Sequence, residues 1–256
     1  MAVPVEDREA VRSLLMRDRI RNAIVIERTF HNPDFALAFA DSLSEPRAVL
    51  ALRPAIRPDT PHQFALHAID EGAALRALKA VPAGMSIFHV ADELAFPAVR
   101  RAIDVGWWGE AILYRMDPAD FRDVQAHEVR PLDPEFAAKV AKIWAPDWPA
   151  EGYVRSRIER GLNAAIYQDG EPVAWYLTHL ETDDVVMLGF LHVIGEYRGR
   201  GYAKSLSCAL VKQTLAKEKA PCCHVYTENA SSIHLMEGLG FHRVCTQVWG
   251  DGFAPR

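Results

Sequence analysis

The sequence lacks several features that define common classes of protein. Its 29 Lys and Arg residues are outnumbered by 34 Asp and Glu, which gives a net charge of −5. Because nucleic-acid binders usually carry a basic excess, we expect no nucleic-acid partner. No run approaches the roughly 20 apolar residues of a membrane span, and the first 15 residues do not have the continuous apolar core of a signal peptide. We therefore expect no membrane partner.

Cysteine is also scarce, and its positions exclude a common kind of metal site. The four cysteines are Cys208, Cys222, Cys223 and Cys245, and no pair has the spacing of a metal knuckle. We interpret them as reduced thiols of a cytoplasmic protein and predict no bound metal. The GxxxxGK[ST] and GxGxxG signatures of nucleotide-binding loops are absent as well.

The composition that is present predicts a folded α/β protein of two domains. Half of the 256 residues are hydrophobic and 25% are charged, and this length suits two domains of about 100–150 residues. The polar, proline-bearing segment 117–125 predicts a boundary between a domain at 1–120 and another at 126–256. After residue 60 and again after residue 185 the pattern reads strand, helix, strand, helix, strand. This order predicts a structural repeat, and the alternative is two unrelated α/β halves.

Local signals predict individual elements within this pattern. Asp169-Gly170 separates two alternating runs and predicts a hairpin. Gly240 predicts the end of a helix. Apolar spacing predicts a helix over residues 7–21, and residues 127–131 are predicted as a strand.

The most informative segment is residues 193–204, VIGEYRGRGYAK. A long apolar strand ends there, two glycines follow, and a helix begins. The first amides of a helix have no partners within the helix and carry partial positive charge, so that an anion placed there satisfies them. Arg198 and Arg200 add positive charge. The segment therefore predicts a diphosphate site, and the alternative is a tight turn with exposed arginines.

The motifs of this segment resemble a known family. Residues 198–203 (RGRGYA) fit the pattern [Q/R]xxGx[G/A] of the GNAT superfamily of acyl-CoA-dependent N-acyltransferases. Residues 229–241 (NASSIHLMEGLGF) look like the second cofactor-facing helix of that superfamily. The resemblance covers about residues 126–250. Within the superfamily, residues 171–175 (EPVAW) and the pair His224-Val225 are similar to the glycine N-acyltransferase-like branch.

The resemblance implies the GNAT acyltransferase fold, a mixed α/β sheet, in the C-terminal half, and a degenerate GNAT-like α/β N-terminal half without the glycine loop. It also implies acetyl-CoA or another acyl-CoA as co-substrate, held where the fourth and fifth strands splay apart. The main chain of Leu191 and Val193 would face the thioester and pantetheine amides. The pyrophosphate would lie on Arg198, Gly199, Arg200, Gly201, Tyr202 and Ala203.

Two further residues are assigned to the cofactor by the same resemblance. Asn229 and Ser232 would face the pantetheine arm. A helix N-cap is an equally good explanation of Asn229, and the two roles are compatible.

The activity implied is acyl transfer to the amine of a small molecule or amino acid. In many members of the superfamily that the chain resembles, a base and a tyrosine acid lie at two positions that are here Met187 and Met236. Methionine transfers no proton. His224 is our predicted base and Tyr226 a candidate acid, with packing as the alternative for both. The missing groups leave a second reading open, that of a non-catalytic acyl-CoA binding or sensing module. Weaker candidates are Glu196, which also reads as a solvated charge, and His192.

Overall fold

The computed structural model describes residues 2–32, 34–57 and 59–255. It contains two compact units. The first consists of Met1–Leu113 together with Val244–Arg256, and the second of Tyr114–Arg243. No helix among the described residues is long and apolar enough to cross a membrane.

The first unit is built on a mixed sheet with helices α1 to α4. Its elements, in chain order, are β1 (Val3–Pro4), α1 (Arg12–Leu15), α2 (Ala23–Ile26), β2 (Leu37–Ala40), β3 (Ala48–Arg53), β4 (His62–Ala68), α3 (Glu71–Leu78), β5 (Gly84–Val90), α4 (Phe96–Ala102) and the start of β6 (Asp104–Met116). Strands β1 to β4 pair antiparallel in sequence order, and β4 pairs parallel to β5. The parallel pair requires the crossover through α3.

The core of the first unit lies between this sheet and helices α3 and α4. Its large buried side chains include Leu50, Phe64, Leu66, Phe88 and Val99. Phe64 and Phe88 stack with their ring centroids 5.8 Å apart across the parallel strand pair. Leu50, Phe64, Leu66 and Phe88 come from strands β3, β4 and β5, and Val99 comes from α4.

The second unit has the same kind of sheet. Its elements are the end of β6, α5 (Ala137–Trp144), α6 (Glu151–Arg160), β7 (Asn163–Gln168), β8 (Glu171–Glu181), β9 (Val185–Val193), α7 (Tyr202–Leu215), β10 (Ala220–Tyr226), α8 (Ala230–Leu239) and the start of β11 (Phe241–Ala254). Strands β7, β8 and β9 pair antiparallel, and β9 pairs parallel to β10. β6 neighbours β10 on its other side.

The predicted repeat is confirmed by these two pairing patterns. In each unit antiparallel strands lead to a parallel pair, β4 with β5 and β9 with β10, connected by a helix. A second helix and a long strand follow in both. The α/β fold class predicted from the sequence is therefore confirmed for both halves.

The units do not coincide with the predicted boundary at residues 117–125. Strand β6 begins in the first unit and ends in the second, while β11 begins in the second and ends in the first. The last residues of β11, Val248–Ala254, pair antiparallel with β5. A single cut in the sequence cannot represent a unit made of two chain segments.

Several local predictions are confirmed. Asp169 (φ 50°) and Gly170 (φ 85°) form the turn between β7 and β8, and both have the positive φ of a type I′ hairpin. Gly240 ends α8 in the left-handed conformation.

Two local predictions are wrong. Residues 7–21 form short helical turns instead of one helix, because side chains bind the backbone there: Asp18 accepts the Arg21 amide and Asn22 donates to the Leu15 carbonyl. Residues 127–131 form no regular strand, only the isolated bridge between Arg130 and Ala165.

Candidate functional site

The pairing between strands β9 and β10 ends about half-way along the two strands. Their parallel pairing runs from Val185 with Ala220 to Leu188 with Cys223 and ends there. Residues 189–193 of β9 and 224–226 of β10 continue as strand without pairing to each other. One edge of β9 therefore has main-chain groups that β10 does not use, as the predicted splay requires.

A bulge distorts β9 at the point where the strands part. Trp175 pairs with His192 and Leu177 with Gly189, so two steps along β8 oppose three along β9. Within the bulge Phe190 has a φ of 58°, a conformation that non-glycine residues seldom adopt. Such strain persists where surrounding packing holds it, and it concentrates at functional sites. Leu191, the predicted thioester contact, follows directly.

The glycine loop leads from β9 into α7. Gly199 (φ 77°) and Gly201 (φ 82°) both have the left-handed backbone that favours glycine, and Gly201 is the N-cap of α7. Gly201 makes no side-chain cap, so the amides of the first turn, Tyr202 onward, are left for another partner. This is the local geometry of an anion site at a helix start.

The two arginines of the loop fold back on it. Arg198 Nε donates to the Val193 carbonyl at 3.1 Å, and Arg200 Nη2 donates to the Glu196 carbonyl at 3.2 Å. The Arg200 guanidinium also lies 5.1 Å from the centre of the Tyr197 ring. Both arginines and Glu196 are exposed. The positive charge therefore stays beside the start of α7, and Glu196 has a main-chain role in the loop.

Residues 126 and 127 form hydrogen bonds with the loop and with the start of α7. His127 Nε2 donates to the Arg200 carbonyl at 2.7 Å, and its ring meets the Tyr202 ring edge-on at 4.7 Å. The buried Ser205 hydroxyl accepts from the amides of Ala126 and His127 at 3.1 and 3.3 Å. Since no sequence pattern links residues 126 and 205, only the structure shows this clamp.

The equivalent helix start in the first unit is closed by the protein itself. The Asp70 side chain is the N-cap of α3 and accepts the Ala73 amide at 2.8 Å. Asp70 also pairs with Arg47, and the hydrogen bonds from the Ala73 amide and from Arg47 lower the pKa of the carboxyl. A carboxylate thus occupies the position where the second unit has an uncapped glycine. Strand β5 adds no unpaired extension, because Val90 at its end pairs with Leu66.

Asn229 and Ser232 lie together at the start of α8. Asn229 is the N-cap, and its Oδ1 accepts the Ser232 amide at 3.1 Å and the Ser231 hydroxyl at 3.0 Å. The predicted N-cap role is confirmed. The Asn229 Nδ2 has no hydrogen-bond partner among the described residues, which leaves it able to donate to a ligand.

His224 and Tyr226 are both on the part of β10 that has left β9. His224 is half-buried and Tyr226 is 39% exposed, while Val225 between them is buried. Burial and the charge of Glu228 raise the pKa of Tyr226, so that its hydroxyl stays protonated. Strand alternation places the two side chains on one face, as predicted.

The remaining sequence candidates have packing roles. Met187 and Met236 are buried at 2% exposure each, in keeping with side chains that serve the core. The His192 ring stacks on the buried Trp175 ring at 4.9 Å, and burial followed by the charge of Arg198 lowers its pKa. His192 is therefore held neutral against the core.

One group of possible metal ligands exists among the described residues: Asp117, Asp120 and His242. All three lie at the surface to some degree, and protein partners already use them. Asp117 pairs with Arg115, and Asp120 accepts from His242 Nε2 at 2.9 Å. The group offers no second observation that points to a metal.

Comparisons with known proteins agree with this geometry. A family model described as FR47-like protein matches residues 165–250, which include β8, the glycine loop and α8. No curated protein matches the chain by sequence.

Solved structures show the fold of the whole chain. A Drosophila protein has a TM-score of 0.76 at 15% identity, covering 99% of this chain and 98% of its own. A tandem GNAT protein from the clavulanic acid biosynthesis pathway has a TM-score of 0.61 at 15% identity, covering 100% and 99%. A GCN5-related N-acetyltransferase-like protein from Streptococcus suis has a TM-score of 0.62 at 15% identity, covering 94% and 98%.

The chain therefore has a tandem GNAT fold, with one copy in each half. The FR47-like match and these structures support a place in the GNAT superfamily. None of them bears on the glycine N-acyltransferase-like branch.

Proposed function

We propose that the chain is an acyl-CoA-dependent N-acyltransferase that transfers an acyl group, acetyl in the first instance, to the amine of a small molecule or amino acid. The observation that carries this proposal is the uncapped, glycine-flanked start of α7 beside the point where β9 and β10 separate. We further propose that it acts in the cytoplasm on small acceptors, with no nucleic-acid or membrane partner and no metal.

The residues present fit acyl-CoA in three ways. The Arg198 amide already donates to the Gly195 carbonyl at 3.2 Å, so the amides that we assign to a phosphate are those of residues 199–203, beside the positive φ of Gly199 and Gly201. The unpaired edge of β9 offers main-chain groups near Leu191 and Val193 to the pantetheine amides. The Asn229 side chain and Ser232 at the start of α8 offer polar groups to the same arm. In the first unit Asp70 closes the equivalent position, so we assign the cofactor to the second unit alone.

Acyl-CoA supplies an activated thioester carbonyl to this site. The acceptor amine is mostly protonated at neutral pH, so a base must remove a proton before attack. We propose that an imidazole nitrogen of His224 accepts this proton, directly or through water. The Tyr226 hydroxyl, kept protonated by its raised pKa, donates toward the departing sulfur. Main-chain N–H groups at the β9 bulge stabilise the carbonyl oxygen as charge develops on it.

Acyl transfer is tested by incubating the protein with acetyl-CoA and a panel of amines while the release of free thiol is measured. We expect turnover in the wild type and a loss of about 10²-fold or more in kcat for His224→Ala. His242→Ala is the matched control, because His242 is an exposed histidine of the same unit bound to Asp120. Equal rates for both variants, with an unchanged pH–rate profile, would remove His224 as the base.

The buried residues Met187 and Met236 favour a second candidate function. Both are buried where many relatives of this fold are expected to carry proton-transfer groups, which favours a non-catalytic acyl-CoA binding or sensing module. Tight binding of CoA with no thiol release from any acyl chain or amine would support this second function over the first.

A further inference from the structure

Four aromatic rings from two helices, the turn between them and one strand converge beside the β9 bulge. This aromatic cluster consists of Trp144, Trp148, Tyr153 and Phe190. The Trp144 ring centre lies 4.2 Å from that of Phe190, 5.8 Å from that of Tyr153 and 6.1 Å from that of Trp148. Because Trp144 ends α5 and Tyr153 lies in the first turn of α6, the turn between these helices brings the rings together.

The cluster exposes much more aromatic surface than packing alone requires. Trp144, Trp148 and Tyr153 are 38%, 48% and 36% exposed, whereas Phe190 beneath them is 7% exposed. A contiguous exposed apolar patch on a folded protein marks a binding surface, and small-molecule sites are lined mainly by apolar and aromatic side chains. The cluster has this character, with the buried Phe190 ring as its base and the exposed rings of Trp144, Trp148 and Tyr153 as its rim.

The position of the cluster connects it with the proposed chemistry. Phe190 lies two residues past Leu188, where pairing with β10 ends, and one residue before Leu191. The His179 ring, 4.3 Å from Phe190, packs on the main chain at Gly189, where a Cβ atom would collide with it. A body resting on these rings would thus hold an attached group at the point where the strands separate.

The polar groups around the cluster do not favour a cation on the rings. Tyr153 Oη and His179 Nδ1 are hydrogen-bonded at 3.3 Å. Burial, together with smaller electrostatic effects of His224 and Arg157, lowers the pKa of His179 to about 3, so His179 is neutral at working pH. Arg157 itself is bound to Thr178. The positive charge of Arg157 beside His179 favours an uncharged ring or apolar group here, with the reacting amine directed away from the cluster toward His224.

We propose that the aromatic cluster binds the acceptor, and that it selects an amine attached to an aromatic ring or to another bulky apolar group. This inference rests on the proposed function, and it names the substrate class for that site. Trp148 forms the outer wall and stacks on the acceptor, while Phe190 forms the floor.

The proposal is tested first by comparing 2-phenylethylamine with ethylamine as acceptors in the thiol-release assay. We expect the wild type to favour 2-phenylethylamine by about tenfold or more in kcat/KM. Trp148→Ala is expected to raise the KM for 2-phenylethylamine by about tenfold with little change for ethylamine, and Trp148→Phe to restore most of the preference. Among the described residues, the Trp148 ring packs against the exposed rings of Trp144 and Tyr153, so its removal spares the core.

Trp107→Ala is the matched control, because Trp107 is 50% exposed and belongs to the first unit. We expect this variant to keep the wild-type preference. A wild type without preference for 2-phenylethylamine, or a preference that survives Trp148→Ala, would overturn the proposal.

A binding measurement separates failure of this inference from failure of the proposed function. 2-Phenylethylamine is titrated calorimetrically into wild type, Trp148→Ala and Trp107→Ala in the presence of CoA. Binding that is weakened by Trp148→Ala alone supports the acceptor site even if no acyl transfer is detected with any amine. Absence of binding to the wild type overturns the inference, even if ethylamine or amino acids are acetylated.

Discussion

At the scale of single residues, the candidate site depends on backbone conformations that few side chains tolerate. Gly199 and Gly201 have positive φ in the loop before α7, and Phe190 has positive φ at the β9 bulge. The left-handed conformation costs a residue with a Cβ atom about 1–2 kcal/mol relative to glycine. The loop can point successive amides at one anion only because two of its residues avoid this cost.

A pair of glycine variants separates strain from binding. A Cβ atom at Gly199 or at Gly170 meets no atom within 4 Å, and their φ angles are 77° and 85°. We expect alanine at either position to lower the free energy of unfolding by about 1 kcal/mol. Only Gly199→Ala is expected to weaken CoA binding, by about tenfold, because Gly170 lies in the β7–β8 turn.

Denaturant unfolding measures the first quantity, and calorimetric titration of CoA measures the second. If the two variants bind CoA equally well while losing equal stability, then the Gly199 conformation does not serve the ligand.

At the same scale, the sequence predicted main-chain roles better than side-chain partners. The residue types of 198–203 indicate a curled loop without knowledge of any distant contact. The clamp of His127 on the Arg200 carbonyl joins residues that are far apart in the chain, and no periodicity reports it. The same reason hides the packing of His179 on Gly189.

At the scale of elements, the two copies of the fold differ in how the helix after the parallel strand begins. In α3 the Asp70 carboxylate accepts an amide of the first turn, while α7 begins at a glycine that caps nothing. The two parallel strand pairs also differ, since β9 and β10 separate after Leu188 and Cys223. Because of these differences we place the proposed ligand site in the second copy of the repeat alone.

This difference predicts a local change in hydrogen exchange. We expect saturating CoA to slow amide exchange in residues 189–193 of β9 and in the first turn of α7, because the ligand would accept hydrogen bonds from amides left without strand or helix partners. Residues 62–66 of β4 and the first turn of α3 are the internal control, and their exchange is expected to stay unchanged. Exchange measured by mass spectrometry on the intact chain tests this, and equal protection of both copies would contradict it.

Elements with strong local signals were predictable, and those set by bulges were not. The end of α8 and the turn between β7 and β8 lie where they were predicted, because Gly240 and the Asp169-Gly170 pair mark them. The β9 bulge inserts one residue without any composition signal, since Gly189 and Phe190 fit an ordinary apolar strand. The helix predicted over residues 7–21 fails because Asp18 and Asn22 bind nearby main chain instead.

At the scale of the whole molecule, the order of the chain and the membership of the units differ. Residues 244–256 follow the second unit in sequence but belong to the first. Val248 and Ala254 of β11 are 1% and 3% exposed within the core of the first unit. Sequence patterns report local structure and do not show which unit a final strand joins.

Removal of this strand is therefore expected to damage the distant half of the sequence. A chain ending at residue 246 leaves the edge of β5 unpaired and exposes the core around Phe88, so we expect it to lose the cooperative unfolding of the first unit. Phe253→Ala is the control, because Phe253 on the same strand is 55% exposed and its loss should change stability by about 0.5 kcal/mol or less. Calorimetry compares the two, and an unchanged unfolding enthalpy in the shortened chain would show that β11 is dispensable.

Because the end of β11 belongs to the first unit, a cut in the middle of the chain would not separate the two units cleanly. Cleavage within residues 121–125 would yield an N-terminal piece without the strand that completes its sheet, and a C-terminal piece that still carries this strand. Because Val248–Ala254 would remain hydrogen-bonded to β5, the two pieces are complementary fragments and not two independent domains.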